Sequence, residues 1–238
     1  MGTRERRERE KDAVRQKIMD AARELFVQEG YEAVSIRRIA DAIEYSPAAI
    51  YVHFRDKADL MKELCGQDFE SFADAMFATA DEPDPVERIW SCGAVYLNFA
   101  IEHPNHFRLM FMTKPSPETM ETDERKLDER GRGDPQRDAY AFLVQNIKEA
   151  IALGQIREEL QADPELVAQV LWACIHGIAA LHVTRPEDDR WLHWRGAENL
   201  RETMMRAILQ GVLREPGPSE PDAPSARDGV SGHGEHHR

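Results

Sequence analysis

The stretch from Ser35 to Lys57, which reads SIRRIADAIEYSPAAIYVHFRDK, constrains the fold of this 238-residue chain more than any other. Within it, Ile36, Ile39 and Ile43 recur at helical spacing and give one apolar face. Ser35 stands where an N-cap belongs, because its hydroxyl can accept a hydrogen bond from a backbone N–H of the first turn. The pattern predicts a short amphipathic helix that begins just after Ser35.

A second, shorter helix follows after a break of two residues. Ser46 and Pro47 open it, since serine is a good cap and proline fits the first helical position. Ala48 and Ala49 leave its outer face small, while Ile50 points into a core. Two helices joined by a tight turn, the second short and open to close approach, form the geometry that places a recognition helix in the major groove of DNA.

The same stretch resembles the helix-turn-helix signature of the TetR family of bacterial transcriptional regulators. The matching residues are Ser35, Ile39, Ala40, Ser46, Pro47, Tyr51, His53, Phe54 and Lys57. The family usually has glycine in the turn, where this chain has Glu44, a residue that is strained if its φ is positive. The resemblance implies an all-α protein with an N-terminal three-helix DNA-binding domain and a C-terminal helical domain for ligand binding and dimerisation.

The resemblance also assigns roles to individual residues on double-stranded DNA. Phosphate contacts are expected from Ser35, Tyr51, His53 and Lys57, and Lys57 also stands at a helix N-terminus, which is itself an anion site. Base contacts are expected from Arg37, which can reach a guanine, and from the two alanines, which suit thymine methyl groups. The full predicted set is Ser35, Arg37, Ser46, Pro47, Ala48, Ala49, Tyr51, His53 and Lys57.

Composition shifts divide the chain into four predicted parts. They are a flexible arm of mixed charge (1–11), the DNA-binding domain (12–56), the regulatory and dimerisation domain (57–214) and a disordered tail (215–238). The arm could extend the first helix, and it carries four arginines that could reach phosphates; the alternative is a solvated charged tail. The long stretch from 114 to 137 lacks an apolar period and is predicted to be a loop.

The net charge of −13 arises outside the predicted DNA-binding domain. Residues 1–60 contain 12 Lys and Arg against 12 Asp and Glu, so the entire excess of acid lies beyond them. A locally balanced or basic face in the first 60 residues can therefore still bind phosphates, while acidic surface elsewhere limits nonspecific binding to nucleic acid.

A second, weaker resemblance lies in a strongly apolar helix predicted for residues 163–184. The sequence Trp172-x3-His176-Gly177 is similar to the WHG-type C-terminal domain of a TetR subfamily. Trp172 and His176 are neighbours on one helix face, where the imidazole could orient an otherwise apolar ligand. The predicted ligand-binding residues are Trp90, Phe99, Phe107, Met110, Phe111, Tyr140, Trp172 and His176. Plain core packing is the alternative for all of them.

The sequence favours a homodimeric repressor that a small lipophilic ligand releases from a palindromic operator. Cys65, Cys92 and Cys174 lack metal spacing and fit a reducing cytoplasm. We find no catalytic motif, and we expect no metal site, no cofactor, no membrane span and no signal peptide. Two alternatives stay open: a ligand-independent DNA-binding protein whose apolar interior is only core, and, less favoured, a helical enzyme.

Overall fold

The computed structural model describes residues 3–113, 133–185 and 193–214, and within these ranges the chain is all-α, as predicted. The nine α-helices of these ranges are α1 (Thr3–Glu29), α2 (Ile36–Ala42), α3 (Pro47–Tyr51), α4 (Lys57–Phe77), α5 (Pro85–Glu102), α6 (Pro104–Phe111), α7 (Ala139–Ala152), α8 (Pro164–Thr184) and α9 (Ala197–Val212). The predicted tail from 215 and most of the predicted loop, residues 114–132, lie outside the described residues.

Helix α1 begins at Thr3, so residues 3–11 of the predicted arm are helical and extend the first helix. Arg4 pairs with Glu8 at 3.2 Å and Arg6 with Glu10 at 2.8 Å, both at i, i+4 spacing. Opposite charges one turn apart stabilise a helix. Here they stabilise the N-terminal turns of α1, which precede its first contact with the core. The interleaved charges that suggested a solvated tail therefore form the exposed first turns of α1.

An N-terminal unit is built by α1, α2 and α3 around one apolar core. Its fully buried side chains include Phe26, Ile39, Ile50 and Phe54. The first half of α4 also belongs to this core, and so does Leu109 of α6. The predicted boundary near residue 56 therefore falls inside a shared core, because α4 contributes to both units.

The C-terminal part is a helical layer in which α5 packs against α7, α8 and α9. Helix α6 crosses between this layer and the N-terminal unit, contacting α1, α4 and α5. Helix α7 begins at Ala139, just after the predicted loop, because the carboxylate of Asp138 caps it by accepting hydrogen bonds from the backbone N–H groups of Tyr140 and Ala141.

Helix α8 is strongly apolar, as predicted, but it is buried on one side only. Leu166 and Leu181 on its outer side are 51% and 47% exposed. By length and composition it is the one helix within the described ranges that could cross a membrane. In the structure its inner side packs against α5, α7 and α9.

Candidate nucleic-acid interface and ligand cavity

The turn between α2 and α3 is held by local hydrogen bonds. Ser35 caps α2 as predicted, its Oγ accepting from the backbone N–H of Arg38 at 3.1 Å. Tyr45 then donates its backbone N–H to the carbonyl of Ala40 at 2.9 Å and closes the turn. Glu44 adopts φ 61°, the left-handed conformation that favours glycine. The departure from the family pattern is therefore a strained residue in an otherwise regular turn.

Helix α3 presents mostly small residues outward and the larger apolar Ile50 inward. Ile50 is fully buried, while Ala48 is exposed, Tyr51 is 56% exposed, and Pro47 and Ala49 are half-buried. Ser46 occupies the N-cap position, but its hydroxyl makes no capping hydrogen bond, in contrast to our expectation of a serine cap. The hydroxyl is consequently available to a ligand at the exposed start of α3.

Basic side chains border this face. Arg37 is exposed, with its Nε 3.9 Å from a carboxylate oxygen of Asp41. His53 is half-buried at the end of α3, where burial and then the charges of Lys11 and Arg15 lower its pKa. Lys11 was not predicted as a site residue, because we placed it in a flexible arm. Its spacing of four residues from Arg15 on one helix is the signal that would have found it.

Lys57 is the predicted phosphate-binding residue whose surroundings differ most from expectation. Its Nζ donates to the backbone carbonyls of Tyr31 at 2.8 Å and Val34 at 3.0 Å, and it lies 4.1 Å from the centroid of the Tyr31 ring. Two of its three N–H groups thus anchor the α1–α2 connection. The start of α4 is also capped by the carboxylate of Asp56, which already occupies the anion site expected there.

A cavity of about 1240 Å³ lies between α4, α5, α6, α7 and α8. Its wall is mostly apolar and aromatic. Four of the eight predicted ligand-binding residues line it: Met110, Phe111, Tyr140 and Trp172. A cavity of this size with an apolar lining has room for a small organic molecule.

The other four predicted ligand residues do not line the cavity. Phe99 packs edge-on against Phe72 at 5.2 Å between ring centroids, and Trp90 lies beneath the guanidinium of Arg201 at 5.1 Å. Phe107 is fully buried behind the wall and stacks on His176 at 5.5 Å. These corrections share one cause, since apolar side chains at helical spacing fill the core as readily as they line a cavity.

Tyr96 of α5 is the polar wall residue that sequence reasoning missed. Its hydroxyl accepts from the indole Nε1–H of Trp172 at 3.2 Å and lies 2.8 Å from Nδ1 of His176. Because the indole can only donate, the tyrosine proton goes to Nδ1, and a neutral His176 carries its own proton on Nε2. Burial raises the pKa of Tyr96 and lowers the pKa of His176, so both are neutral near pH 7.

No group of three or more His, Cys, Asp or Glu within the described ranges is placed to hold a metal ion. His103 and His106 lie close together, with ring centroids 5.2 Å apart. Nδ1 of His106 is 2.9 Å from the carboxylate of buried Asp68. The imidazole of His106 therefore lies against the ion pair between Arg23 and Asp68.

Both halves of the chain match known families. Residues 18–64 match the family described as bacterial regulatory proteins, tetR family, and residues 89–208 match the tetracyclin repressor-like C-terminal domain. The second match covers half of the chain and includes Trp172, His176 and Gly177. The chain belongs to the TetR family of bacterial regulators.

Similarity to curated proteins is concentrated in the N-terminal unit. The chain is 43% identical over 61 residues to the HTH-type transcriptional repressor Rv1474c of Mycobacterium tuberculosis, covering 26% of this chain and 33% of the relative. It is 44% identical over 55 residues to the HTH-type transcriptional regulator AcrR of Shigella flexneri, covering 23% and 26%. The matched region thus spans a third or less of these relatives.

Solved structures share the fold over most of their length. The fatty acid degradation regulator FadR from Bacillus halodurans has a TM-score of 0.63 at 17% identity, covering 82% of this chain and 94% of that one. The ketosteroid transcriptional regulator KstR2 of Mycobacterium tuberculosis has a TM-score of 0.58 at 19% identity, covering 84% and 95%. At such identities the likeness extends to the fold alone.

Proposed function

We propose that this protein is a sequence-specific transcriptional regulator, a homodimeric repressor that a small lipophilic ligand releases from a pseudo-palindromic operator. The observation that carries the proposal is the outward face of α3. Ser46, Ala48 and Tyr51 are exposed there, while Ile50 fixes the helix to the core. A short, rigidly held helix with small outer residues suits close approach to a major groove.

On DNA, phosphate contacts fix the register and base contacts carry the sequence preference. Ser35, Ser46, Tyr51 and His53 border α3 and hold phosphates, together with Lys11. Arg37 and the alanines of α3 approach base edges, the arginine by two hydrogen bonds to guanine. Lys57 contributes chiefly by fixing the unit, with one N–H left for a phosphate.

Dimerisation uses the outer sides of α8 and α9. Leu166, Val170 and Leu181 leave a continuous apolar stripe on α8 uncovered in the single chain, with Gly177 allowing close approach. A stripe of this kind marks a protein interface. Val170→Asp is expected to give monomers in sedimentation velocity and to abolish operator binding. If the variant stays dimeric, the dimer interface does not lie on this side of α8.

The ligand acts through the two helices that belong to both units. Leu109 of α6 lies in the N-terminal core and also on the cavity wall, and α4 extends from that core to the cavity. A ligand that fills the cavity shifts the population towards a conformer with displaced α4 and α6. The two recognition helices then no longer fit half-sites about 34–36 Å apart.

The cavity also separates this proposal from its alternatives. A ligand-independent DNA-binding protein would have no use for an unfilled space of about 1240 Å³ in its second unit. An enzyme would need a nucleophile, an acid–base pair or a metal set at the cavity, and its inner polar groups are a neutral tyrosine, indole and imidazole. A bacterial regulator working in the cytoplasm is the consistent interpretation.

Selection of bound duplexes from a random DNA pool tests the function. We expect enrichment of a sequence with two-fold symmetry. Arg37→Ala should relax the preference at one base pair per half-site by about 1–3 kcal/mol, whereas Lys148→Ala, an exposed charge change on α7, should leave the selected sequence unchanged. Failure to enrich any symmetric site would overturn the proposal.

A further inference from the structure

Three aromatic rings on the cavity wall form a partial box. The rings of Tyr140 and Trp172 have centroids 6.0 Å apart with their planes at 58°, and Phe111 lies 6.5 Å from Trp172 at 63°. Trp172 is 39% exposed although it is surrounded by apolar helices, so part of the indole is open to the cavity. Faces of tryptophan and tyrosine attract cations through the negative potential of their π-electrons.

A carboxylate stands at the edge of this box. Glu165, in the first turn of α8, accepts a hydrogen bond from the hydroxyl of Tyr140 at 2.7 Å. Burial and then this hydrogen bond raise the pKa of Tyr140, so the phenol stays a neutral donor. The carboxylate keeps further lone pairs that can accept from a cationic ligand.

The charged residues of the whole wall are mixed in sign, with a small excess of acid. Its acidic residues are Glu70, Asp74, Asp138 and Glu165, and its basic residues are Lys62 and Arg137. Asp138 is committed to capping α7, whereas the carboxylates of Glu70 and Asp74 make no ion pair with another described residue. Acid is therefore in excess around the cavity, beyond what the helix cap uses.

The polar chain at the cavity wall lacks a charge that could neutralise an anion. It consists of Tyr96 and Trp172 on the wall and His176 behind them, and all three are neutral. A carboxylate-headed lipophile placed there would lose hydration without gaining an ion pair. It could reach a cation only by turning its head towards Lys62 or Arg137.

We propose that the cavity binds a lipophilic cation, whose charged group lies against the Phe111, Tyr140 and Trp172 rings beside Glu165, and whose apolar groups fill the space lined by Phe72 and Met76. The inference rests on the proposed ligand-responsive function and specifies its ligand class. Glu165 and Trp172 are the residues that distinguish a cation from a neutral or anionic molecule of the same shape.

Tetraphenylphosphonium and tetraphenylborate provide the test, because they have nearly the same shape and opposite charge. Isothermal titration of the full-length protein should show the phosphonium binding at least tenfold more tightly than the borate. Glu165→Gln should narrow that ratio about tenfold, and Trp172→Phe should weaken the phosphonium alone. Glu158→Gln removes one exposed negative charge away from the cavity and should leave the ratio unchanged, which controls for the net charge of −13.

Equal or tighter binding of the borate would overturn the cation assignment. An equal effect of Glu165→Gln and Glu158→Gln on the affinity ratio would also overturn it, and so would a failure of both ions to bind. Measuring release of the operator DNA by each ion distinguishes a wrong ligand class from a wrong proposed function. If the borate binds in the cavity and releases the operator, a ligand-responsive repressor stands and only the ligand class is wrong. If no DNA is bound at all, the proposed function fails while the titration still decides the ligand class.

Discussion

The N-terminal unit and the C-terminal unit differ in how completely their interiors are filled. In the first, α1 to α3 and the start of α4 close around one core of buried side chains. In the second, apolar clusters of similar composition surround a large open space. Dense packing transmits strain and fixes side chains, whereas a ligand site needs unfilled volume. The same apolar residue types therefore give a rigid core in the N-terminal unit and the wall of a cavity in the C-terminal unit.

The largest expected effect comes from breaking the ion pairs that join the two units. Asp68 of α4 is 2% exposed and accepts from the Nε and the NH2 group of Arg23 on α1 at 3.2 and 2.8 Å. His106 of α6 approaches the same carboxylate. Asp68→Ala would leave the buried guanidinium of Arg23 with only the exposed carboxylate of Asp20 as a partner, so we expect a loss of about 3–5 kcal/mol in the free energy of unfolding by urea.

Glu63→Ala is the matched control for this cluster. Glu63 pairs with Arg15 between the same two helices at 2.7 Å, but both side chains are partly exposed. Its removal should cost less than about 1 kcal/mol, because water solvates the remaining charge. Equal costs for the two variants would mean that the Asp68 cluster does not hold the units together.

A pair of methionines compares the packing of the two units directly. Met19 is fully buried in the N-terminal core, and Met110 lies half-buried on the cavity wall. Met19→Ala should cost about 2–5 kcal/mol, because it creates a cavity in dense packing. Met110→Ala should cost clearly less in the same urea titration, since its open side has few contacts to lose. Similar costs would indicate that the wall around Met110 is as tightly packed as the core.

Substitution of Lys57 tests whether a residue predicted to contact DNA instead stabilises the N-terminal unit. Lys57→Met keeps the aliphatic stem and removes the two hydrogen bonds to the carbonyls of Tyr31 and Val34. We expect thermal unfolding to show a loss of about 1.5–3 kcal/mol. Lys11→Met, on the exposed side of α1, should weaken DNA binding and leave the melting temperature unchanged. If Lys57→Met affects only DNA affinity, its role is at the phosphate backbone.

The difference between the units also explains what could be predicted from the sequence. The helix-turn-helix depends on caps, a proline and apolar spacing within 23 residues, so local signals were sufficient. The cavity depends on Tyr96 meeting residues 76 and 80 positions away, Trp172 and His176. Nothing in the sequence around Tyr96 distinguishes it from the core aromatics, and Phe99 and Phe107 were chosen wrongly for the same reason.

The smallest expected effect lies in the turn between α2 and α3, where the N-terminal unit departs from its family. Glu44 is exposed and has φ 61°, a conformation that costs an L-residue about 1 kcal/mol and glycine almost nothing. Glu44→Gly should therefore raise the free energy of unfolding by several tenths of a kcal/mol to about 1 kcal/mol, after the greater freedom of glycine in the unfolded chain is subtracted.

Glu44→Ala separates backbone strain from the loss of charge, since alanine removes the carboxylate and keeps the Cβ. Gly30→Ala is the reverse experiment, because Gly30 has φ 84° and a Cβ built there would meet no atom within 4 Å. Its expected loss of about 1 kcal/mol is purely conformational. Should Glu44→Gly prove no more stable than Glu44→Ala in thermal unfolding, the turn would not be strained. The absence of glycine at this position would then cost the N-terminal unit no stability.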